Sequence, residues 1–135
     1  MPDVSYAVID EMEAIYDGLA RRARAELGVS AWGMQVMTLP PNWEGYPNHN
    51  HDAGTEEAGQ EEVYIPIEGS AVLVADDERF DLRPGVMVRV GADQHRQILP
   101  GDDGIRFVAL GGVPGNAYAP SAWTQIGGPL PVPAG

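Results

Sequence analysis

Between Trp32 and Leu110 the chain breaks into short extended runs, each stopped by a turn signal. That pattern, more than any other, limits what it can fold into. Trp32 to Leu39 ends at Pro40-Pro41, Tyr46 to His51 runs into an acidic stretch, and Glu62 to Ile67 ends at Glu68-Gly69. Ala71 to Ala75 stops at Asp76-Asp77, and Phe80-Asp81-Leu82 leads into Pro84-Gly85. Val86 to Val90, Gln94 to Leu99 and Ile105 to Leu110 complete the series. Proline and glycine end strands for backbone reasons, and Asp favours turns. Many short strands at close spacing point to an all-β sandwich or small barrel. No helix alternates with these strands, which disfavours a doubly wound fold.

The flanks read differently. From Ser5 to Leu27, apolar Val8, Met12, Ile15, Leu19, Ala23 and Leu27 recur at spacings of three and four. This predicts an N-terminal α-helix packed outside the barrel, with Gly28 as its C-terminal cap. Early acids and late arginines (Arg21, Arg22, Arg24) suit the helix dipole. Residues 113–135 form a Gly/Pro-rich tail, expected to wrap the surface through Tyr118 and Trp123. The expected organisation is one structural domain: helix 1–30, barrel 31–112 and tail 113–135.

The net charge of −12 repels phosphate backbones, so no nucleic-acid partner is expected. All eight basic residues are arginine, which removes Schiff-base chemistry on a lysine. There is no cysteine, hence no disulfide, thiolate ligand or thiol nucleophile. Neither a signal pattern nor an apolar run of membrane-span length is evident, and the expectation is a cytoplasmic protein with no membrane partner.

The chemistry concentrates in the histidines, of which there are three. His49 and His51 stand one residue apart, so an extended backbone points both to one face. Glu62 opens the next strand, and Tyr64 shares its face, either as a support behind a metal ligand or as a packing residue. Two imidazoles and a carboxylate are a donor set for a divalent metal. The acidic segment Asp52 to Gln60 reads as a solvated, mobile insertion, with a lid over a pocket as the lesser alternative. Gln35 and Gln97 are candidate pocket-facing amides.

His49-Asn50-His51, Glu62 and Gly69 resemble the first motif of the cupin superfamily, and Glu62 to Gly69 resembles its strand and turn closely. The likeness spans residues 32–112 and is to small stand-alone bacterial cupins. Gly45 stands four residues before His49 rather than six, and the spacer to Glu62 is longer than the family's. Pro84-Gly85 resembles the start of the second motif, but the histidine slot counted from Gly85 falls on Arg96, one past His95. A connection one residue shorter puts His95 in the slot. A strict count puts Arg96 there instead.

The resemblance implies an all-β double-stranded β-helix, the jelly-roll or cupin barrel. It implies one divalent transition metal (Fe, Mn, Ni, Zn or Cu) held by His49, His51, Glu62 and His95. Arg96, Tyr64 and Gln97 are the expected substrate contacts, with Arg96 suited to a carboxylate. It further implies a small-molecule ligand and a homodimer. If the chain is an enzyme, the expected activity is that of a metal-dependent dioxygenase. The alternatives are a metal-dependent isomerase and a non-catalytic, metal-free binding or sensor module.

Overall fold

The computed structural model describes residues 1–52 and 57–130. Its strands are β1 (Ala14–Ile15), β2 (Ala20–Arg21), β3 (Gly33–Leu39), β4 (Glu61–Ala75), β5 (Glu78–Leu82), β6 (Val88–Val90) and β7 (Gln97–Gly112). All pairings are antiparallel, in the order β1-β2-β3-β7-β4-β5, and β6 also pairs with β4. This is an all-β jelly-roll barrel.

Two long strands make the barrel. The first half of β4 pairs with β6 and with the end of β7, and its second half pairs with β5 and the start of β7. The register shifts at Pro66/Glu68 and at Gly69/Ala71, which bends both strands from one sheet face to the other. Gly69 explains why a glycine is required there. Its φ is 73°, and a Cβ on it would stand 2.1 Å from the Gly104 carbonyl oxygen. The inner faces bury Leu39, Tyr64, Leu73, Leu82, Ile98 and Phe107. Tyr64 and Phe107 meet edge-on at 5.5 Å.

The expected N-terminal helix is not formed, and this corrects the periodicity reading. Tyr16, Asp17 and Gly18 all have positive φ, a run that no right-handed helix accommodates. The segment turns there into the β1–β2 hairpin, and β2 pairs with β3. Within this segment only Ala23–Leu27 is α-helical, α1, and Gly28 does cap it at φ 75°. Met12, Ile15 and Ala23 are buried as the apolar stripe required, but by a folded-back chain. The arginine side chains reach backbone carbonyls and a side-chain amide. Arg21 Nη1 donates to the Met12 carbonyl. Arg22, almost wholly buried, donates to the carbonyls of Trp123, Gly128 and Pro129. Arg24 donates to the Val29 carbonyl and to Gln125 Oε1. Arginines 22 and 24 thereby tie the C-terminal segment to the N-terminal one.

The acidic insertion is described only in part, since its residues 53–56 lie outside the described set. Its end is not a solvated loop. Gly59 N donates to the His51 carbonyl at 2.7 Å, and Gln60 is buried. Gln60 covers Gly111, where a Cβ would stand 2.4 Å from its Nε2. No helix among the described residues is long and apolar enough to cross a membrane.

Candidate metal centre and its pocket

His49 and Arg96 form an isolated antiparallel bridge. His49 N donates to Arg96 O at 3.0 Å, and Arg96 N to His49 O at 2.9 Å. Residues so paired project to the same face. The bridge therefore carries Arg96 inward beside His49 and turns His95 outward. His95 is exposed and stands outside the ligand group, which corrects its expected role as a metal ligand.

His49, His51 and Glu62 converge, with ligand atoms all within 4.8 Å of one another. The two rings meet edge-on, their centroids 5.2 Å apart. His49 Nδ1 lies 3.0 Å from the Pro47 carbonyl oxygen. Donation of that N–H fixes the tautomer and leaves Nε2 with its lone pair. Burial, aided by the charges of Arg96 and His51, holds His49 below the usual imidazole range, against the opposing pull of Pro47 and Glu62. The ring is thus kept neutral, as a ligand must be.

Three groups crowd one oxygen of Glu62. Tyr64 donates its hydroxyl to Oε1 at 2.9 Å, His51 Nε2 lies 2.8 Å away, and Arg96 Nη2 lies 3.3 Å away. Burial alone would raise the Glu62 pKa. The hydrogen bond and charge of His51, the Arg96 charge and the Tyr64 hydroxyl outweigh it, so the carboxyl stays below its ordinary range. Tyr46 and Tyr64 are pushed well above the ordinary phenol value, by burial first and by the nearby Glu62 charge.

These residues suit a metal. Two ligands at about 2.1 Å from one ion, at right angles, stand about 3 Å apart. The 2.8 Å between His51 Nε2 and Glu62 Oε1 matches that spacing. Two imidazoles and one carboxylate are also the facial set that leaves coordination positions open.

Of the expected substrate contacts, none lines the pocket. Arg96 is wholly buried. Besides facing Glu62 it donates to the Gln94 carbonyl, and its Nε and Nη2 have no hydrogen-bond acceptor. Tyr64 is buried beneath Glu62. Gln97 turns to the Tyr46 carbonyl at 3.1 Å. Gln35 does line the pocket, as do His49, His51 and Glu62.

The pocket has a volume of about 530 Å³. Its other walls were missed in the sequence. They come from the N-terminal hairpin (Leu19), β3 (Met34, Met37), the chain before the bridge (Trp43) and the C-terminal segment (Tyr118, Trp123). Two glycines make the room. A Cβ on Gly45 would meet Trp43 at 2.2 Å, and one on Gly33 would meet the Tyr118 hydroxyl at 3.1 Å. An isolated glycine at a strand end was the available signal for such close approach.

No family model and no curated relative matches the sequence. Solved structures do. A cupin protein from Bacteroides fragilis superposes with a TM-score of 0.63 at 20% identity, over 90% of this chain and 93% of that one. A structure described as a sugar phosphate isomerase from a cupin superfamily, from Silicibacter pomeroyi, gives 0.64 at 21% identity, over 85% and 76%. A predicted oxalate decarboxylase from Thermotoga maritima gives 0.52 at 19% identity, over 62% and 68%. With the bent β4–β7 pair and the jelly-roll order of its strands, this chain has the cupin fold.

Proposed function

We propose that the barrel holds one divalent transition metal on His49, His51 and Glu62 and presents its open positions to a small molecule in the pocket. The observation that carries this is the convergence of the three ligand atoms within 4.8 Å at the pocket's inner end. The donor set is that of non-haem Fe(II) oxygenases, so a metal-dependent dioxygenase is the activity it supports best. When bound, such a metal supplies Lewis acidity and positions for substrate oxygen. The protein's own groups set the rest. Pro47 orients His49, Tyr64 and Arg96 hold Glu62 in its charged form, and the apolar walls keep water away.

A second reading, a metal-free binding module, is favoured by Arg96. Its guanidinium already answers the Glu62 charge that a metal would use. A metal-dependent isomerase, which the Silicibacter likeness suggests, has less support, because no arginine or lysine lines the pocket among the described residues to pair with a phosphate. Elemental analysis of the purified protein and of His51→Ala separates the first two. The metal reading expects one transition metal per chain, with affinity lowered at least about 100-fold in the variant. No metal in either protein after reconstitution would leave the binding module.

A further inference from the structure

The pocket's charge is as informative as its shape. The chain has eight arginines and no lysine, and none of the arginines lines the pocket. The nearest, Arg96, is wholly buried and engaged with Glu62. Two carboxylates, Glu57 and Glu62, do line it. An anionic group on the body of a ligand would enter without an arginine or lysine to pair with and facing like charge, which is costly. The walls favour the opposite kind of molecule. Trp43, Trp123, Met34, Met37 and Leu19 offer flat and polarisable apolar surface, and 530 Å³ is enough for a small ring system. His49, His51 and Glu62 converge at the pocket's inner end, and Gln35, Glu57, Gln60, Tyr118 and Thr124 are further polar groups of its lining.

We infer that the pocket takes an uncharged, ring-bearing small molecule with two adjacent oxygen donors at its inner end, and excludes phosphorylated sugars. The oxygen-donor end rests on the metal reading above. The apolar body rests on the walls alone.

Calorimetric titration of the full chain, metal-stripped and Zn(II)-loaded, tests both parts with three probes: 2-naphthol, 2,3-dihydroxynaphthalene and glucose 6-phosphate. The expected result is that 2-naphthol binds the stripped protein and that Trp43→Ala weakens it about tenfold. Zinc should tighten the diol and leave 2-naphthol unchanged, and glucose 6-phosphate should bind neither form. Met34→Arg is a second variant, which places a cation on the wall. It should lose 2-naphthol and admit the phosphate. Stoichiometric zinc without 2-naphthol binding would overturn the inference and leave the metal reading standing. Binding of 2-naphthol with stoichiometric zinc but no gain for the diol would overturn the oxygen-donor end alone, and failure to take up zinc would overturn the metal reading, in neither case the apolar body. Glucose 6-phosphate binding as tightly as 2-naphthol would overturn the inference outright.

Discussion

Two stretches of this chain meet at the barrel's inner end, joined by the His49–Arg96 bridge, and they end differently. In the first, residues 49–62, each polar side chain that the sequence singled out as a ligand reaches the site: His49, His51 and Glu62. In the second, residues 94–97, the histidine points out and the next residue, Arg96, points in. The difference is one residue of register, which on a strand exchanges the two faces. One stretch therefore supplies ligands and the other a fixed positive charge beside them. A cation in that place stabilises the ionised carboxylate of the ligand group without competing for an open coordination position.

The largest expected effect comes from removing that charge. Arg96→Met leaves Glu62 buried with only His51 and Tyr64 to answer it. The cost should be about 2–3 kcal/mol, seen as a fall in melting temperature of roughly 8 °C. An unchanged melting temperature would mean that Arg96 is not coupled to Glu62. Arg96→His is the next test. It restores an imidazole to the second stretch and removes a cation from beside the metal, a repulsion of a few kcal/mol at short range. Metal affinity should rise at least about tenfold in a competition titration, and a weaker site would show that the slot does not reach the metal.

The smallest effect is one of pH, measured on metal-stripped protein. His49 lies below its ordinary value of 6.5 and Glu62 below its ordinary 4.5. In both cases the unfolded chain takes up protons first on acidification. Each contribution is therefore fully present above the ordinary value and lost as pH falls through the lower, folded one. The melting temperature should fall first below 6.5, through His49, and again below 4.5, through Glu62. A His49→Ala variant should lack the first step.

Much of the barrel was legible because strand ends are written in proline, glycine and aspartate, and Gly69 marks a crossing that only glycine tolerates. His49 and His51 were legible because an alternation of two is local. What failed was non-local. The apolar spacing of Val8 to Leu27 fits a helix, but three residues of positive φ and arginines seeking distant carbonyls decide otherwise. The register at Arg96 depends on a backbone bridge to His49, 47 residues away in sequence. Tyr64, expected as a substrate contact or as a support behind a metal ligand, takes the second place, because its hydroxyl reaches the Glu62 carboxylate on its own strand face.

The two stretches are compared most directly by titrating Co(II) into metal-stripped wild-type, His49→Ala and His95→Ala proteins by calorimetry. The structure predicts one site per chain in the wild type and in His95→Ala, with affinities within about twofold, and loss of the site in His49→Ala. Loss of the site in His95→Ala, or its survival in His49→Ala, would contradict a centre built from the first stretch alone.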